Sequence, residues 1–177
     1  MKILFFILTF MSLTAFGKPA EKFCEAGQAK QILQAKKQAV VEADKLIRNM
    51  DKVLARTDMT WLQKRKFFIS KSILKCAKYK LGTLNFVCGD IEGEYTGWTN
   101  PFLSNKVFIE DDFFTPVNPK FKEALLLHEA THHCGTNDAS YFDISKRPDD
   151  VGVIGWQIVA DTYTYWVMHG FCYPGYC

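Results

Sequence analysis

The chain has 177 residues, enough for one domain with a core of its own. Hydrophobic residues make up 48% and aromatic residues 15%, without low-complexity tracts or internal repeats, which excludes a disordered or fibrous protein. A formal charge of +3 is too weak an excess to argue for nucleic acid or a membrane as partner.

The N-terminus reads as a secretory signal: Lys2, an apolar run from Ile3 to Leu13, then small residues at Ala15 and Gly17. Cleavage is predicted after Gly17, with Ala20 as the fallback, leaving residues 18–177 as the mature domain. Removing Lys2 takes the formal charge from +3 to +2. The run is too short to span a bilayer comfortably, and no later stretch is apolar enough to do so. All six cysteines (Cys24, Cys76, Cys88, Cys134, Cys172 and Cys177) follow the cleavage site. An even count in an exported chain without a Cys-x-x-Cys pair predicts disulfides and leaves their pairing open. Cys172 and Cys177 flank Pro174-Gly175, a turn-forming pair suited to a local bridge.

From Glu25 to about Ala55 the pattern is helical: Leu33, Val40, Ile47 and Leu54 recur every seven residues, with Ala43 and Met50 between them. Such a stripe predicts one face of a core helix. A second helix is predicted from Thr60, where Thr60 and Gln63 read as a capping box, through Phe67, Phe68, Ile73, Leu74 and Ala77 to about Leu81, with Gly82 as its stop. Its basic face (Lys64, Arg65, Lys66, Lys71, Lys75, Lys78, Lys80) is read as solvated, with no stacking aromatics on the same side. Strands are predicted at Leu84 to Cys88 and Lys106 to Ile109, with turns and loop over Gly93 to Pro101. Asn118-Pro119 then reads as an N-cap and first helical residue, opening a helix that runs to about Cys134 and stops at Gly135. Residues 142–150 read as loop, and a last helix is predicted from about Gly155 to His169.

The third predicted helix, just before that loop, carries the chemistry. His128-Glu129-Ala130-Thr131-His132 is His-Glu-x-x-His, and residues four apart lie about 40° apart around a helix axis. Two neutral imidazoles one turn apart can grip one zinc ion, and Glu129 can lean toward a water on the open side of the metal. Ala124, Leu125, Leu126, Leu127 and Ala130 imply burial, and buried imidazoles need partners that a metal supplies. Candidate third ligands are His133, Cys134, Asp138 and His169. His133 projects about 100° from His132, and Cys134 is better used in a disulfide. Asp138 lies just past the stop at Gly135, where the chain can turn back, and is the best candidate.

Gly135-Thr136-Asn137-Asp138-Ala139-Ser140-Tyr141 resembles the Gly-Thr-x-Asp-x-x-Tyr sequence that follows His-Glu-x-x-His in the aspzincin metallopeptidases, the deuterolysin and lysine-specific endopeptidase group. Val107-Phe108-Ile109 and Phe113-Phe114 upstream, and Ala160-Asp161-Thr162-Tyr163-Thr164-Tyr165-Trp166 downstream, extend the likeness over about residues 105–168. The resemblance implies an α+β, zincin-like single domain, mainly helical, with a small β-sheet or hairpin beside the active-site helix. It implies one zinc per chain on His128, His132 and Asp138, Glu129 as general base, and Tyr141 supporting the oxyanion. It also implies that Asp161 binds a substrate lysine on the leaving-group side. Three features depart from the family: the turn from His132 to Gly135 is shorter, Phe142 stands where the motif commonly ends in glycine, and Thr164 stands where the lysine-specific members carry a second acid. The expected protein is a secreted or periplasmic, monomeric zinc endopeptidase acting on proteins or peptides, without nucleic acid or stable membrane association. The alternatives are a catalytically silent, metal-stabilised binding protein and a metallohydrolase of cell-wall peptides.

Overall fold

A computed structural model describes residues 20–91, 96–102, 104–115, 118–138 and 155–171. The signal segment, Tyr141, the loop over 142–150 and the Cys172–Cys177 turn lie outside the described residues. The elements in chain order are β1 (Ala20–Lys22), α1 (Ala26–Leu54), α2 (Trp61–Thr83), β2 (Asn85–Asp90), β3 (Gly97–Thr99), β4 (Lys106–Ile109), a 3-10 turn at Asp111–Phe114, α3 (Pro119–His132), a 3-10 turn at Trp156–Ile158 and α4 (Ala160–His169). The fold is α+β, mostly helical with one small sheet, as expected.

The capping chemistry places the helices as predicted. Glu25 and Gln28 form the box that opens α1, and Thr60 and Gln63 the box that opens α2. Asn118 accepts from the Lys120 amide at 3.0 Å, with Pro119 at the first helical position of α3. Gly82 does not stop α2. The helix runs on to Thr83 and ends because Leu84 is extended, feeding directly into β2. The last helix is shorter than predicted: Gly155 is left-handed (φ 83°), a 3-10 turn follows, and α4 starts only at Ala160.

The buried stripe of α1 is Ile32, Ala35, Ala39, Ala43, Leu46, Met50 and Val53; it contains the predicted Ala43 and Met50, while Val40, Ile47 and Leu54 pack half-buried along its flank and Leu33 of the predicted face is exposed. The three alanines, at intervals of four, let the α1 backbone approach its neighbours closely, so the face with less side-chain bulk is the one buried. It packs on α2 through Phe67, Ile73, Leu74, Ala77 and Leu81 and on α3, whose Ala124, Leu126, Leu127 and Ala130 complete the core. Fully burying side chains such as Phe67, Leu74 and Leu127 contributes about 1.5–3 kcal/mol each.

The sheet has strand order β1-β2-β4-β3. The two predicted strands are the parallel inner pair, Asn85 facing Lys106 through Cys88 facing Ile109. β1 and β3 add antiparallel edges. β3 falls in the stretch predicted as loop: Gly97, Trp98 and Thr99 pair with Ile109, Phe108 and Val107. A three-residue strand among turn residues has too little alternation to be read, yet it brings this edge against α3.

Two disulfides tie these layers together. Cys24–Cys88 fastens the lead into α1 to the inner strand β2, and Cys76–Cys134 joins α2 to the C-terminal end of α3. The second closes a separation of 58 residues and fixes the chain two residues past His132. Replacing both Cys76 and Cys134 by Ser is expected to lower stability by about 2–4 kcal/mol. Chemical denaturation in the presence of a chelator measures this directly.

Candidate metal centre

α3 carries His128 and His132 on one face, and their Nε2 atoms lie 3.2 Å apart. Each ring is turned by a partner on its other nitrogen. His132 Nδ1 is 3.3 Å from the Thr136 carbonyl oxygen. His128 Nδ1 is 3.2 Å from Asp161 Oδ1 and 3.1 Å from Thr164 Oγ1, both on the buried face of α4. With Nδ1–H donating outward in both rings, the two Nε2 lone pairs face each other, an arrangement that calls for a cation between them.

The turn after α3 supplies the third group despite its shortness. Gly135 (φ 90°) adopts the left-handed conformation that ends the helix. The Thr136 amide then returns to the Thr131 carbonyl at 3.3 Å, and the two threonine hydroxyls meet at 2.8 Å in the interior. Asn137 is pinned next to the start of α4: its amide donates to the Ile158 carbonyl at 2.9 Å, and its carbonyl accepts from the Ala160 amide at 3.2 Å. Asp138 is thereby carried back over α3, with Oδ1 at 3.4 Å from His128 Nε2 and 3.3 Å from His132 Nε2.

These three atoms form a triangle with edges of 3.2, 3.3 and 3.4 Å. Tetrahedral zinc with ligands at about 2.0–2.1 Å sets its ligand atoms about 3.3–3.4 Å apart, so the donor set fits the ion in size as well as in chemistry. Asp138 Oδ1 is buried and has no hydrogen-bond partner among the described residues, because its contacts with the imidazoles are close but not aligned for hydrogen bonding. A buried carboxylate oxygen left in this state is costly unless a cation neutralises it.

The electrostatics agree. Burial works against a charged His128, but Asp138 and Asp161 outweigh it and push its pKa up to about 10. Burial also opposes ionisation of Asp138, yet the two imidazoles hold its carboxyl well below the usual carboxylate range. The pocket therefore favours positive charge among His128, His132 and Asp138. Burial pushes the Glu129 carboxyl up, with the imidazoles opposing in part.

Glu129 is 4% exposed and lies against the edge strand. A Cβ at Gly97 would sit 2.9 Å from Glu129 Oε1 and 3.3 Å from its Cδ and Cγ. The glycine thus leaves the space that the carboxylate occupies. On the expectation that Glu129 is a general base, Gly97→Ala should displace the carboxylate and cut kcat roughly 10- to 100-fold while zinc content stays at the parent value. Steady-state kinetics beside metal analysis of both proteins check it. Gly97 and Thr164 could not be found from the sequence, because their roles depend on which strand and which helix α3 meets.

The other candidate ligands are occupied elsewhere. His133 Nε2 is 2.7 Å from Thr99 Oγ1 on β3, and Cys134 is in its disulfide. His169 is exposed at the end of α4, its ring tilted against Tyr165. His128, His132 and Asp138 are the one group of three or more potential ligands gathered among the described residues.

No protein-family model matches the sequence, and no curated protein sequence matches it either. Among solved structures the fold is similar to that of a zinc peptidase from Grifola frondosa, with a TM-score of 0.61 and 14% identity. The match covers 81% of this chain and 96% of that one, so the likeness spans nearly the whole of that chain and is a likeness of fold.

Proposed function

We propose that the protein is an exported zinc endopeptidase of aspzincin type. The observation that carries this reading is the triangle of His128 Nε2, His132 Nε2 and Asp138 Oδ1 beside the buried carboxylate of Glu129. The fold shared with a zinc peptidase supports it, and two disulfides support export. Residues 1–17 are the leader in this reading. No described helix is long and apolar enough to cross a membrane.

His128, His132 and Asp138 would hold the zinc, which supplies a Lewis acid and lowers the pKa of a water at its open position toward 7. Glu129 takes the proton of the attacking water on its carboxylate and passes it to the departing amine nitrogen. Burial pushes the pKa of its carboxyl up, with the two imidazoles opposing in part, and a raised pKa makes the carboxylate a stronger proton acceptor. The hydroxyl of Tyr141 donates to the peptide carbonyl oxygen as negative charge grows there.

Asp161 has two possible employments. Its Oδ1 stands against His128 Nδ1, which favours the role of orienting that imidazole. A preference for lysine on the leaving-group side would use the same carboxylate as partner of the substrate ammonium. Asp161→Asn separates them: the orienting role predicts a roughly 10- to 100-fold loss of zinc affinity. The lysine role predicts unchanged zinc affinity and loss of cleavage before lysine.

Metal analysis of the purified protein, with mapping of the bonds it cuts in a denatured protein mixture, tests the whole reading. One zinc per chain and chelator-sensitive cleavage are expected. A zinc-loaded protein that cuts nothing would instead be a metal-stabilised binding protein, and one that cuts only wall fragments a cell-wall hydrolase.

A further inference from the structure

The outward face of α2 differs from its sequence reading. Trp61, Arg65, Phe68, Ser72, Lys75 and Tyr79 are all exposed and fall at intervals of four and three residues, so they line up along one side of the helix. The stripe spans about 27 Å from Trp61 to Tyr79. Its three aromatic residues, Trp61, Phe68 and Tyr79, are 73%, 63% and 70% exposed, and Arg65 lies over the Trp61 ring at 5.5 Å. Aromatics are therefore interleaved with the cations on the same side. Phe68 is on this surface because the buried stripe of the helix runs through Phe67, Ser70, Leu74, Ala77 and Leu81.

Charge selects the kind of partner. α2 contains seven basic residues and no acidic one. Lys71 and Lys78 are paired with Asp51 and Asp44 of α1, whereas Arg65 and Lys75 make no ion pair among the described residues. Acidic neighbours thus neutralise the inner flank of the helix and leave the outer stripe positive. Shape narrows the choice further. Rings this exposed have no walls beside them, so the stripe is a ridge rather than a groove, and a peptide would find nothing to seat it. A ridge of aromatic rings flanked by cations fits a flat anionic interface, where rings enter the headgroup region and Lys and Arg meet phosphates.

We propose that the α2 ridge is a peripheral docking surface for anionic phospholipid membranes. This attachment lies on the surface, needs no spanning segment, and is independent of the peptidase reading. Trp61 and Phe68 are the apolar anchors, and Arg65 and Lys75 supply the selectivity for negative headgroups.

Co-sedimentation of the zinc-loaded protein, as exported through its own leader, with vesicles of phosphatidylcholine alone or mixed with phosphatidylglycerol tests this. Binding is expected to the mixed vesicles only and to weaken as salt rises. The double variant Trp61→Ala with Phe68→Ala is expected to lose at least tenfold in partitioning, and Arg65→Glu with Lys75→Glu more. Zinc content and thermal midpoint of both variants should match the parent, since all four side chains are exposed. Absence of binding, equal binding to neutral vesicles, or indifference to both double variants overturns the proposal. So does stripe-dependent binding of polyglutamate without binding of vesicles, which would assign the ridge to an acidic protein.

Discussion

Glu129→Gln is expected to keep one zinc per chain and to lose about 10²–10⁴-fold in kcat, the span that a positioned general base contributes. The substitution preserves shape and removes only the capacity to take a proton. Burial of Glu129 makes the separation clean: the side chain is enclosed by α3 and the Gly97 edge, so the amide has little freedom to move aside. None of the three ligand atoms belongs to it. Its charge does raise the pKa of His128, and the neutral amide would ease deprotonation of that imidazole, so zinc affinity should not fall for lack of a proton acceptor. Active-site metal content by elemental analysis, beside progress curves on a denatured protein, gives both readouts from one preparation. Proteolysis at a level comparable with the parent would remove Glu129 from the mechanism and with it the proposed reaction.

This contrast between a ligand set and a base was legible because helical periodicity turns spacing into geometry. His128 and His132 had to share a face once residues 119–132 were helical, and the stop at Gly135 had to bend the chain just before Asp138. What holds Asp138 in place was not legible. Asn137 bridges to Val159 near the start of α4, a contact between segments some twenty residues apart with no local signature. Thr164 is similar. As a departure from the family pattern it argued only about substrate preference, whereas in the fold its hydroxyl meets His128 Nδ1.

The packing registers of α1 and α2 rest on details of size and adjacency. In α1 the heptad of larger aliphatics was visible, but the alanine row at 35, 39 and 43 decided which face approached its neighbours, since close backbone approach depends on small residues. In α2 two adjacent phenylalanines cannot share one buried stripe, and Phe67 takes it in register with Leu74 and Leu81. Phe68 is then forced outward, where it joins Trp61 and Tyr79. The exposed aromatic ridge is thus a consequence of the core register, and it became visible only after that register was known.

Asp138→Ala is expected to lower zinc affinity by roughly 10²–10³-fold. The apparent free energy of binding structural zinc is about 10–16 kcal/mol for four ligands, so one ligand carries on the order of 2.5–4 kcal/mol. The two imidazoles keep their orientation in this variant, because the groups that turn them are the Thr136 carbonyl on one side and Asp161 with Thr164 on the other. Residual binding by a two-histidine grip is therefore expected rather than collapse of the site. A second consequence follows from linkage. Zinc at a hundredfold excess over its dissociation constant stabilises the native state by about 2.7 kcal/mol. At the same free zinc, a variant weakened by 10²–10³-fold retains only about 0.4 kcal/mol or less. Thermal midpoints of parent and variant should accordingly differ in buffered zinc and converge in chelator. If Asp138→Ala instead retained the parent's zinc-dependent rise in midpoint, the third ligand would have to lie elsewhere, and Asp138 would be an ion-pair partner of the two histidines alone.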